Sequence, residues 1–135
     1  IYIEEADLKA SNTWVSDLFG VSVAISADTV VVGAYLEASS TTDVNSVPND
    51  SASVAGAAYV FFRTAGIWSE QAYLKASNTG GNDRFGYSVA ISADTLVVGA
   101  CFLYSSTTAV NSVSTDSACA GVAADVIRRT AVICS

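Results

Sequence analysis

Two copies of one sequence unit, offset by 66 residues, constrain this chain more than any other feature. FGVSVAISADTVVVGA at Phe19–Ala34 returns as FGYSVAISADTLVVGA at Phe85–Ala100. The same offset aligns LKASNT at Leu8–Thr13 with Leu74–Thr79, and SSTT at Ser39–Thr42 with Ser105–Thr108. About 40 of the 66 aligned pairs are identical, so the chain is a tandem array of units 1–66 and 67–135.

Each unit is rich in short β-branched runs. Ser22–Ser26 and Thr29–Ala34 are too short for helices, and Val23/Ile25 and Val30/Val32 each share a face. Ser26-Ala27-Asp28-Thr29 supplies a tight polar turn, and Ser92–Thr95 repeats it. Val30-Val31-Val32 is apolar on both faces, which predicts a strand covered on both sides. Ala24, Gly33 and Ala34 leave room for a second sheet to come close. With strands expected around Leu8 (Ile1–Ala10) and Val60 (Ala57–Arg63), each unit carries four strand-like runs. The fold class is all-β, with two tandem four-stranded blade-like antiparallel sheets.

Phe19-Gly20 with Val32-Gly33-Ala34, and Phe85-Gly86 with Val98-Gly99-Ala100, resemble the FG-GAP repeat, the blade unit of integrin-α-type β-propellers. The resemblance covers nearly the whole chain and implies a propeller-type fold without implying a particular activity. Many members carry an Asp-x-Asp-x-Asp-Gly calcium loop in the hairpin. This chain has only Ser-Ala-Asp-Thr there, so it resembles the branch lacking that loop.

Charge narrows the partners. A net charge of −7 and a pI near 4.1 leave no basic patch for nucleic acid. No apolar run is long enough to span a membrane as a helix. The chain starts at Ile1 inside an expected strand, as a mature or trimmed product would. An extracellular setting is expected. Cys101, Cys119 and Cys134 fall at positions held by Tyr35, Ser53 and Trp68 in the first unit. Cys101 and Cys119 flank a long loop and could form one disulfide; three free thiols are the alternative.

The chain holds no histidine, which removes Ser-His-Asp and Cys-His catalysis. Asp17/Asp83, Asp28/Asp94 and Asp50/Asp116 recur in both units, and repeated carboxylates of this kind serve turns more often than glycoside hydrolysis. The reading is non-enzymatic. Tyr35–Gly56 is long for a connection, and such loops usually carry function. Glu37, Asp43, Asn45, Asn49 and Asp50 offer hard oxygen ligands there, with calcium as the candidate ion. Asn49-Asp50-Ser51 is an N-glycosylation sequon, and Ser39, Ser40, Thr41, Thr42, Ser105, Ser106, Thr107 and Thr108 are candidate O-glycan acceptors. Near the end, Tyr59 becomes Asp125, Phe62 becomes Arg128 and Gly66 becomes Val132, as in a capping repeat.

Two blades cannot close a propeller, so the sheets are incomplete alone and completed by assembly. The register of Ile1-Tyr2-Ile3 and Ile67-Trp68-Ser69 returns at Ile133-Cys134-Ser135. A strand containing Ile1, Ile3 and Leu8, donated to a neighbour near Ile133, would make a homo-oligomer or homopolymer, ring or filament. The expected role is structural or adhesive, presenting polar loops. A calcium-dependent ligand- or carbohydrate-binding propeller fragment is the alternative.

Overall fold

A computed structural model describes residues 1–12, 16–41, 45–49, 51–76, 80–101 and 123–128. It is all-β, and among the described residues there is no helix. The strands are β1 (Ser22–Ser26), β2 (Thr29–Ala34), β3 (Ala57–Thr64), β4 (Ile67–Leu74), β5 (Phe85–Ser92), β6 (Thr95–Ala100) and β7 (Ala123–Arg128). They form a four-stranded sheet β1-β2-β3-β4 and a three-stranded sheet β5-β6-β7, antiparallel throughout.

Both expected hairpins form in equivalent registers. Ser22 pairs with Gly33 and Ser26 with Thr29; Ser88 pairs with Gly99 and Ser92 with Thr95. Ala27 and Ala93 each take φ 50, the left-handed first position that a two-residue hairpin loop uses. β3 turns into β4 through Ala65 (φ 50) and Gly66 (φ 79), the two positive angles of a type I′ turn.

That turn corrects the expected boundary of the sheet. The fourth strand of the first sheet is Ile67–Leu74, from the second unit, rather than the run around Leu8. A β3–β4 hairpin closes over two residues, so its entropic cost is small. The expected strand over Ile1–Ala10 does not form in the single chain, and Ile1, Tyr2 and Ile3 are fully exposed. The sheet is therefore out of phase with the sequence repeat. The second sheet shows three described strands where four were expected.

The two faces of the first sheet are buried differently. Val31, Ala58 and Val60 pack against the second sheet, sharing one core with Leu74, Ala76, Phe85, Leu96, Val98 and Ala100. On the opposite face Val32, Ala34, Ala57, Tyr59, Phe61 and Tyr73 form a second core, covered by Leu8, Ala10 and Phe19. Alternation along β2 thus sends Val31 one way and Val32 the other, as its doubly apolar sequence predicts.

Candidate functional site

The contact between the sheets is built from the repeated Phe-Gly and Gly-Ala pairs. Phe85 is almost fully buried, and its N–H donates to the Ala55 carbonyl at 2.9 Å. Gly56 and Phe85 form an isolated parallel bridge, and Ser22 Oγ donates to the Gly86 carbonyl at 2.7 Å. Gly86 takes φ 89. A Cβ on Gly33, Gly56 or Gly86 would run into the backbone of Gly86, Phe85 or Ala57 respectively. The glycines are needed because backbone meets backbone here with no room for a side chain. Beside this contact the Tyr35 and Tyr87 rings meet edge to face at 5.2 Å.

A buried polar group fastens the loop after β2 to the segment after β4. Lys75 Nζ donates to Glu37 Oε2 at 2.8 Å and to the Gly56 carbonyl. Glu37 also accepts from the Ser39 N–H at 3.1 Å, from Ser39 Oγ and from Asn12 Nδ2 at 3.3 Å. Tyr59 OH in turn donates to Asn12 Oδ1. Burial pushes the Lys75 ammonium below its ordinary pKa, with Glu37 opposing that shift. Burial likewise drives the Tyr59 and Tyr73 phenols well above theirs. The pairing neutralises the buried charge and satisfies an otherwise stranded carbonyl.

The amino-terminal segment is clasped to the first sheet. Glu5 Oε1 accepts from Arg63 Nη1 at 2.7 Å and from Trp68 Nε1 at 3.0 Å, while Arg63 also holds Asp28 Oδ1 at 2.6 Å. Ser11 donates to Glu70 through its N–H at 3.1 Å and its Oγ at 2.7 Å. Hydrogen bonds from Arg63, then Trp68, hold the Glu5 carboxyl below the usual range. These contacts place Leu8 and Ala10 over the second core.

The residues singled out from sequence meet different fates. Phe19, Gly20, Gly33, Phe85, Gly86 and Gly99 all lie at or near sheet faces, and the structure joins Gly33 to Phe85-Gly86. Glu37 is buried against Lys75, and Asn45 accepts from the Tyr73 N–H at 2.9 Å. Asp43, Asp50, Thr42, Ser105, Ser106, Thr107, Thr108, Cys119 and Ile133 lie outside the described residues. Among the described residues no group of three or more His, Cys, Asp or Glu could hold a metal. Ser39 is buried, Ser40 and Asn49 are exposed, and Cys101 carries a free, half-buried thiol. The Lys75–Glu37 pair was not read from sequence. Its signal is a Lys in a repeated LKASNT segment opposite an acid that occurs in one unit alone, since Leu103 stands at the register of Glu37. A cavity of about 220 Å³ opens between the sheets, lined by Val60, Leu74, Ile91, Leu96 and Ile127 with Gln71 and Asp94.

Among the described residues no helix is long and apolar enough to cross a membrane. Neither a curated protein nor a solved structure matches the chain. A family model described as FG-GAP repeat matches residues 2–61 and 68–116. These spans cover most of the sequence and both Phe-Gly/Gly-Ala pairs, and the chain belongs to the FG-GAP repeat family.

Proposed function

We propose that this protein is a non-enzymatic, extracellular structural or adhesive module that assembles head to tail, as a filament or ring, and presents its polar loops. FG-GAP repeats build propeller-type domains, are typically non-enzymatic and occur mostly in extracellular or surface proteins. One observation carries the assembly reading. Among the described residues β7 pairs only with β6, while residues 1–8, the sequence counterpart of β4, form no strand.

By the 66-residue register, residues 1–8 of a second copy fall opposite β7 as β4 falls opposite β3. Strand addition brings a row of backbone hydrogen bonds and covers the exposed Ile1 and Ile3, for about 1.5–3 kcal/mol per fully buried large side chain. The contact is heterologous, so it propagates until it closes. Exposed Ser40 and Asn49 are the accessible glycan acceptors on the first loop, whereas Glu37 is committed to Lys75.

The test is negative-stain imaging and sedimentation of the chain, alone and with excess peptide spanning residues 1–10. Assemblies that shrink as the peptide caps β7 support the reading. A monomer at every concentration, or assemblies indifferent to the peptide, would contradict it.

A further inference from the structure

The contact inside the chain has its two halves repeated, unjoined, on the outside. Gly86 is buried against Ala57 and Ala34, but around its counterpart Gly20 (φ 94) an added Cβ would meet nothing within 4 Å among the described residues. Gly33 is closed by Gly86 and Ser22; among the described residues its counterpart Gly99 meets only Ser88, and Ser88 itself is exposed. The flanking faces show the same asymmetry. Val89 and Ile91 pack into the shared core, whereas their counterparts Val23 and Ile25 are 63% and 66% exposed. Val60 is 4% exposed and its counterpart Val126 is 70% exposed.

The open faces keep the chemistry of the closed one. Val31, Ala58 and Val60, which receive the second sheet, are repeated as Val97, Ala124 and Val126 without change. Val89 and Ile91, which press on them, correspond to the exposed Val23 and Ile25, while Leu96 and Val98 correspond to Val30 and Val32, which line the second core. One outer face therefore has the composition of the donor side of the internal junction, and the other that of the receiver.

We propose that the two outer faces are each other's partners: Phe19-Gly20 of one copy docks on Gly99-Ala100 of the next, as Phe85-Gly86 docks on Gly33-Ala34 within the chain. Val23 and Ile25 then stack on Val97 and Val126 of the neighbour, and Ser88 Oγ reaches the Gly20 carbonyl as Ser22 Oγ reaches that of Gly86. This docking rests on the head-to-tail reading and deepens it by naming the surfaces and their register. The occupant is a second copy of this chain, because its exposed face reproduces the one already seated on the equivalent residues.

The register yields a direct test. Tyr87 touches Tyr35 inside the chain; their counterparts are exposed Val21 and half-buried Cys101, which face each other only across the proposed junction. In a Cys119→Ser/Cys134→Ser background, Val21→Cys treated with a short bis-maleimide should give a ladder of linked multimers. Cys101→Ser should abolish the ladder, and Val47→Cys, at an exposed loop position, should give none. A Cys101→Ser chain carrying Tyr35→Cys and Tyr87→Cys calibrates the geometry by linking within one molecule. Val126→Glu, at an exposed site, should remove the ladder without lowering the midpoint of thermal unfolding. Assemblies that form while Val21→Cys links no better than Val47→Cys would overturn this docking and leave head-to-tail assembly standing. A chain that is monomeric throughout would overturn both.

Discussion

Ser22 Oγ donates to the carbonyl of Gly86, 64 residues away, and this 2.7 Å bond seats the second sheet on the first. It is possible only because Gly33 and Gly86 have no side chains at the point of contact. The Phe-Gly and Gly-Ala pairs that define the repeat are thus two sides of one joint. A unit's Phe-Gly reaches back to the Gly-Ala of the unit before it.

Gly86→Ala and Gly20→Ala should separate two costs. Both glycines have φ near 90, so each alanine carries a strain of about 1–2 kcal/mol. Gly86→Ala adds collision with the Ala57 and Ala34 backbone, about 1–3 kcal/mol more. Urea unfolding should show Gly86→Ala clearly the more damaging. Gly20→Ala should still block assembly, because the same collision then arises between copies.

The buried ion pair predicts non-additive mutational losses. Lys75→Met leaves Glu37 charged and buried, and Glu37→Leu strands Lys75; each should cost about 3–5 kcal/mol. The double variant should recover much of that loss, which a double-mutant cycle in urea would read. Simple additivity of the two losses would mean that the pair is not coupled.

Alkaline pH should unfold the protein through its tyrosines. Tyr59 and Tyr73 are raised above their ordinary value of 10.0, so above that pH the folded state holds protons that the unfolded state releases. Stability must then fall as pH rises, by up to about 1.4 kcal/mol per pH unit for each phenol. Lys75 acts in the opposite sense: its pKa is lowered from 10.5, so its contribution rises with pH up to that value and is constant above it. Beyond pH 10.5 Lys75 no longer opposes the tyrosines. Phenolate absorbance should lag ordinary tyrosine titration and appear together with loss of β-structure.

Docking carries Lys9 of one copy to the register that Lys75 occupies inside the chain. By sequence register, Leu103 stands where the first unit has Glu37. The proposed junction between copies should therefore be weaker than the one within. Leu103→Glu should strengthen association roughly tenfold, the effect of about 1.5 kcal/mol from one charge-assisted bond. A dilution series by sedimentation reads it directly.

Acid should open the amino-terminal clasp. Hydrogen bonds lower the Glu5 pKa from 4.5, so their stabilisation is complete above pH 4.5 and is lost as pH falls through the lowered value. In a Trp14→Phe background, Trp68 fluorescence should change with a midpoint below 4.5. Glu5→Gln should abolish that transition.

The two hairpins were legible in sequence because everything that makes them is local. β-branched runs of five and six residues flank a two-residue turn, and the repeat doubles the signal. The owner of β4 was not legible, since periodicity says that Ile67–Leu74 is a strand and not which sheet it joins. The turn at Ala65-Gly66 settles that. Ile1–Leu8 has much the same pattern yet forms no strand, because pairing depends on a free neighbouring edge. Glu37 read as an ion ligand for a similar reason. Its partner Lys75 lies 38 residues on, and no local pattern brings them together.

Sedimentation velocity of the unmodified 13.9 kDa chain over a wide concentration range, beside Val126→Glu, reads association without label or cross-linker. Head-to-tail stacking predicts species that grow with concentration for the native chain and a persistent monomer for Val126→Glu. A native chain that sediments as a 13.9 kDa monomer throughout, or a Val126→Glu variant that associates equally well, would contradict it.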